Sequence, residues 1–107
     1  MENRKLRVYL NALTGHIYKM LPLYEEERER DSSLPDLTRY IYSLSTEVTG
    51  GFDTFAELSD SPSYIFIVNT IHGLNQQPLE YNAFRRQVFK MLSLIQRIDK
   101  EVGERHV

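Results

Sequence analysis

The run Tyr81-Asn82-Ala83-Phe84-Arg85-Arg86-Gln87-Val88-Phe89-Lys90-Met91-Leu92-Ser93-Leu94-Ile95-Gln96-Arg97-Ile98-Asp99-Lys100-Glu101-Val102 decides the fold. Its residues Tyr81, Phe84, Val88, Met91, Ile95, Ile98 and Val102 recur at alternating steps of three and four. A helix turns about 100° per residue, so this spacing draws one apolar stripe along it. Such a stripe has to be covered by other helices.

Upstream, the same periodicity recurs. Leu6, Leu10, Leu13, Ile17 and Met20 or Leu21 share a face, which predicts a first helix from about Asn3 to Leu21. Pro22 costs about 3 kcal/mol in a helix interior, so this helix is expected to end or kink there. Leu23 to Arg30 is expected to restart as a turn or two of helix. Its mixed-charge run Glu25 to Arg30 reads as a solvated face or a frayed arm. Asp31-Ser32-Ser33-Leu34-Pro35-Asp36 reads as a helix start, with Asp or Ser capping free amides and Pro35 in the first turn. The second helix carries Leu34, Leu37, Ile41, Leu44 and Val48, and Gly50-Gly51 is expected to stop it. Phe52 to Leu58 reads as a short helical turn with Phe52 and Phe55 tucked inward.

Ser61-Pro62 marks a third start. The helix from about Pro62 to Asn75 is apolar on more than one face (Tyr64 to Val68, Ile71, Leu74), which predicts neighbours on several sides. Gln76-Gln77-Pro78 then turns into a last helix, about Leu79 to Gly103. Short connections favour antiparallel neighbours. The expected architecture is all-α, an antiparallel four-helix bundle forming one domain over residues 1–107.

Composition bounds the function. The chain has 107 residues, 41% hydrophobic and 26% charged, with a formal net charge of -2. That balance suits a soluble domain and gives no electrostatic footprint for a dedicated nucleic-acid binder. There is no cysteine, which removes disulfides and thiolate ligands. The longest apolar run, Tyr64 to Val68, is far too short to span a bilayer, so no stable membrane insertion is expected. Met1 to Arg7 carries charge but no apolar secretion core comes after it, since Asn11, Thr14, Gly15 and His16 interrupt it. A cytoplasmic protein is expected.

Catalytic chemistry finds little support. A bundle di-metal site needs a Glu-x-x-His pair, and none occurs. The three histidines, His16, His72 and His106, lie on different elements, so neither metal nor cofactor is expected. His72 reads as a buried or half-buried histidine bonded to a neighbour. There is no Gly-x-Ser-x-Gly and no phosphate loop. Of the seven tyrosines, Tyr18, Tyr40, Tyr42, Tyr64 and Tyr81 lie at or beside the stripes, as core-edge packers with a polar tip. A third reading is an enzyme or small-molecule binder using His72 with Tyr64 or Tyr81 in a bundle cavity. No enzymatic activity is expected.

The last helix carries the candidate surface. With its stripe buried, Arg86, Phe89, Lys90, Arg97 and Lys100 fall far from the stripe's centre, with Arg85 and Leu92 on the flanks. Phe89 is then an outward aromatic among cations, the residue types that anchor protein interfaces. The alternative is that Phe52 to Leu58 covers this side.

The order of elements resembles the immunity proteins that protect lactic-acid bacteria and streptococci from pediocin-like bacteriocins. The resemblance lies in Ile67-Val68-Asn69-Thr70-Ile71-His72-Gly73-Leu74, Leu79-Glu80-Tyr81-Asn82-Ala83-Phe84-Arg85-Arg86 and Met91-Leu92-Ser93-Leu94-Ile95-Gln96-Arg97. It covers roughly forty residues at helix-packing positions, which many bundles share. Members of that family are often basic, whereas this chain is slightly acidic. The resemblance implies a non-enzymatic cytosolic protein that recognises a mannose phosphotransferase membrane component engaged by bacteriocin and blocks the pore. It also implies that the C-terminal half decides specificity, which maps onto the last helix and the tail Gly103 to Val107, with Arg105 and His106. The other reading is a small helical adaptor or subunit of a protein complex. In either case a monomer or weak homodimer is expected.

Overall fold

The computed structural model describes residues 3–76 and 80–104. Every element among them is helical: α1 (Asn3–Tyr18), α2 (Met20–Arg30), α3 (Pro35–Thr54), the single turn α4 (Ala56–Ser59), α5 (Pro62–Gln76) and α6 (Tyr81–Glu104). No strand occurs among the described residues. No helix among them is long and apolar enough to cross a membrane.

The stripes meet in one core. Phe84, Val88, Met91, Ile95, Ile98 and Val102 of α6 are all buried, and Tyr81 lies half-buried at the end of the row. They face Leu6, Leu10, Leu13 and Ile17 of α1 and Ile67, Ile71 and Leu74 of α5 in the same cluster. Arg7 pairs with Asp99 at 2.9 Å, while Tyr24 packs on Tyr81 and Phe84 with ring centroids 5.1 and 4.9 Å away. The chain from α1 through α2 therefore runs antiparallel to α6. Similarly, Tyr64 meets the carbonyl of Val48 near one end of the α3–α5 pair, and Leu37 and Leu74 line one cavity at the other.

The first helix, expected to end or kink at Pro22, breaks slightly earlier, with α1 ending at Tyr18 and α2 opening at Met20. The Lys19 amide donates to Gly15 and the Leu23 amide to Lys19, so helical bonding passes through Lys19 with little interruption. Pro22 sits in the first turn of α2, where its missing N–H removes only the bond that would have reached back to α1. The segment beyond Pro22 is neither frayed nor wholly solvated. The α2 helix runs eleven residues, and Tyr24 and Glu27 are buried on it.

Glu27 corrects the sequence reading most. It is 1% exposed, and its carboxylate accepts the Asp36 amide at 2.6 Å and the Leu37 amide at 2.7 Å. These amides belong to the first turn of α3 and have no intrahelical acceptor. The expected cap from Asp31 or Ser33 is not formed. Asp31 accepts instead from the Ser33 hydroxyl at 2.7 Å and the Ser33 amide at 3.0 Å, and these bonds hold its carboxyl below the usual value. The residue at the cap position is Leu34, held left-handed at φ 54° with its side chain buried. Pro35 does open the helix, as its fixed φ favours.

Gly50-Gly51 does not end α3 either; the helix continues to Thr54 with neither glycine at positive φ. Gly51 is buried, and a Cβ there would collide with the Tyr64 hydroxyl and lie 3.1 Å from that of Tyr9. The glycine allows a close approach rather than a turn. The Tyr64 hydroxyl fills the resulting space, donating to the Val48 carbonyl and accepting from Tyr9 at 2.9 Å.

The third start forms as expected. The Ser61 hydroxyl accepts the Tyr64 amide at 3.2 Å, and α5 begins at Pro62. Glu80 caps α6 in the same way, accepting the Ala83 amide at 2.7 Å. The expected start of the last helix at Leu79 lies outside the described residues.

Candidate functional site

The outer side of α6 is built by what its inner side excludes. Once the stripe is committed to the core, Arg85, Arg86, Phe89, Lys90, Arg97 and Lys100 are all exposed. The segment Phe52 to Leu58 does not cover them. Phe52 packs edge-on against Tyr64 with centroids 5.2 Å apart, Phe55 lies 5.3 Å from Tyr9, and Leu58 is fully buried. That segment closes over α1, α3 and α5, leaving the far side of α6 open.

Phe89 is 40% exposed, and the Arg85 guanidinium lies 4.8 Å over its ring. The two are four residues apart, the spacing that stacks side chains on a helix. A second cation–ring pair crosses to the neighbouring helix, with the Lys90 ammonium 4.6 Å from the ring centroid of Phe66. Phe66 and its neighbour Ile65 are themselves exposed. Both pairs hold a charge against an aromatic face, restricting long side chains that would otherwise sample many rotamers.

None of Arg85, Arg86, Lys90, Arg97 or Lys100 forms an ion pair with a described residue. Of the α6 acids, Asp99 is taken by Arg7 through contacts of 2.9 and 3.2 Å, and the exposed Glu101 lies among Arg97 and Lys100 without a hydrogen-bonded ion pair to either. The face is therefore locally basic on a chain of net charge -2. Towards its C-terminal half, Ser93, Gln96, Arg97, Lys100 and the exposed Glu101 line an open, shallow surface. Arg105 and His106 lie outside the described residues.

Sequence reasoning missed Phe66 and Ile65 as part of these surroundings. The signal was present: a helix apolar on more faces than its neighbours α3, α4 and α6 can cover must leave some of those residues at a surface.

The other candidates do not converge. His72 is exposed rather than buried, with its ring 3.0 Å from the Thr49 hydroxyl. Tyr64 is fully buried in the hydroxyl pair with Tyr9, and burial followed by that bond pushes its pKa far above the ordinary tyrosine value. Tyr81 is bonded to Glu25 and lies under Arg28 at 4.6 Å; the Glu25 bond raises its pKa. Tyr18 and Tyr42 are exposed well beyond a core-edge position, at 54% and 64%. His16 pairs with Glu47 at 3.1 Å on the surface. Among the described residues no group of three or more His, Cys, Asp or Glu is placed to hold a metal.

Neither family models, nor curated proteins, nor solved structures give a match to this chain.

Proposed function

We propose that the protein is a non-catalytic binding module, and that a protein partner docks on the outer face of α6 through Phe89, Arg85, Arg86, Lys90 and Arg97. In this reading α1 and α2 act as one bent rod. With α3, α5 and α6 they make an antiparallel four-helix bundle, a rigid support for the face. The observation that carries the reading is Phe89, exposed beneath Arg85 on a helix whose remaining outward cations have no described counter-charge. A large ring already fixed by a guanidinium loses little conformational freedom on binding, which is how aromatic and arginine residues dominate interfaces.

Within this class we favour an immunity-type protein working in the cytoplasm, on the segment resemblance in α5 and α6. The partner would be a sugar-transport membrane component engaged by a pediocin-like bacteriocin. The test is to express the chain in a bacteriocin-sensitive strain and challenge it with a panel of such toxins. Survival against one or a few, lost in Phe89→Ala with the variant still folded, supports both levels of the reading. Uniform killing with folded protein removes the immunity assignment.

The exposed Ile65, Phe66 and Phe89 favour a second reading, a small adaptor that pairs with another chain. A melting temperature that rises with protein concentration marks self-pairing through these residues. Concentration independence over a hundredfold range leaves a monomer that needs a different partner.

A further inference from the structure

A cavity of about 180 Å³ lies where the middle of α2, the start of α3, the end of α5 and the start of α6 come together. Its walls are the side chains of Tyr24, Leu34, Leu37, Ile41, Leu74 and Phe84, and its polar edge is Thr38 with Asn75. An apolar cavity of about 150 Å³ stays dry and takes up benzene, so this volume is of the size that holds a single aromatic ring or a small fused one.

Two features keep the space open. Glu27 fastens α2 to the first turn of α3 through its bonds to the Asp36 and Leu37 amides. Tyr24 packs on Phe84 with ring centroids 4.9 Å apart, fixing α2 against α6. Walls braced in this way cannot relax inward as a simple packing gap does. At the rim stands Leu34, the one non-glycine residue at positive φ among those described. A left-handed branched residue is backbone strain, and strain of this kind gathers where a fold holds a ligand or a special geometry. Its buried side chain is part of the wall.

We propose that this cavity is a binding site for a small planar aromatic molecule with one hydrogen-bonding edge, of the size and chemistry of indole or phenol. The rings of Tyr24 and Phe84 and the branched chains of Leu34, Leu37, Ile41 and Leu74 enclose the apolar body. Thr38 donates its hydroxyl proton to the Leu34 carbonyl at 2.8 Å, which leaves its oxygen as an acceptor. The Asn75 amide adds both an acceptor and donors. The site lies apart from the Phe89 face and does not depend on its assignment.

Indole and benzene are the probes, read out by ligand-observed NMR and thermal denaturation of the full chain. The expected result is saturable binding of both, mutual competition, and a melting temperature that rises with probe concentration. Leu74→Phe places a larger ring in the space and is expected to weaken both probes at least tenfold with helicity retained. Should that variant fail to fold, the half-buried Asn75→Leu takes its place: indole weakens while benzene is unchanged or tighter. No saturable binding by the folded wild-type chain overturns the proposal. So does binding that survives Leu74→Phe in a folded protein, or an Asn75→Leu variant that leaves indole unaffected.

Discussion

Four residues, Glu27, Gly50, Gly51 and Tyr64, show how single positions fix the structure. Glu27 ties two segments together through charge-assisted bonds to the α3 amides. Glu27→Ala removes both acceptors and leaves buried donors behind. A loss of about 2–3 kcal/mol is expected in urea denaturation; a loss below about 0.5 kcal/mol would show the bonds contribute nothing net. Gly50 and Gly51 are neighbours with opposite expectations. Nothing lies within 4 Å of a Cβ at Gly50, so Gly50→Ala should stabilise by about 0.5–1 kcal/mol through helix propensity. At Gly51 the Tyr64 hydroxyl occupies that position, and Gly51→Ala should destabilise by about 1–3 kcal/mol. Equal signs from the two substitutions would contradict the close approach. Tyr64 supplies a pH dependence. Its folded pKa is raised by burial, whereas an unfolded tyrosine ionises near 10.0. Its contribution is complete below that pH and is lost as pH rises above it, at up to about 1.4 kcal/mol per pH unit. Urea midpoints between pH 9 and 11 should fall less steeply in Tyr64→Phe than in wild type, and parallel slopes would remove this role.

At the scale of elements, periodicity was the legible part. The α6 stripe and the α5 start at Ser61-Pro62 come from spacing and local capping chemistry alone. Phe52 and Phe55 do pack on the core, but Phe52 belongs to the end of α3 and the short turn is confined to Ala56–Ser59. What was not legible depends on partners far along the chain. The cap of α3 comes from nine and ten residues upstream, so a local reading assigned it to Asp31 and Ser33. The same distance hides Glu27 inside a run of charges that otherwise is exposed. Gly50-Gly51 looks like a stop until Tyr64 is brought beside it by α5. The candidate surface was half legible. The wheel of α6 places Phe89 outward, but only the packing of Phe52 and Phe55 against Tyr64 and Tyr9 shows that nothing from that segment covers it. Phe89→Ala is expected to cost about 1 kcal/mol, from the Arg85 contact and the partly covered ring, with helicity retained. A loss above about 2 kcal/mol would make Phe89 part of the core.

At the scale of the whole molecule, the helices form an elongated body of 49 × 21 × 19 Å whose core runs along its length. One long side belongs to α6, and there the outward cations lack described acidic partners. On the rest of the body, the exposed pairs are His16 with Glu47 and Arg39 with Asp36, at 3.1 and 2.6 Å. Such exposed pairs contribute little to stability. What sets the α6 side apart is the exposed Phe89 stacked under Arg85 among the outward cations, the feature on which the proposed docking rests. The most direct measurement is site-specific photo-crosslinking in living cells that express the chain, with the reactive group at position 89 and, for comparison, at the exposed position 42. One discrete adduct is expected from position 89, diminished by Arg86→Glu or Arg97→Glu, and none of that size from position 42. The same adducts from both positions, or none from position 89 with the protein folded and abundant, would contradict docking on α6.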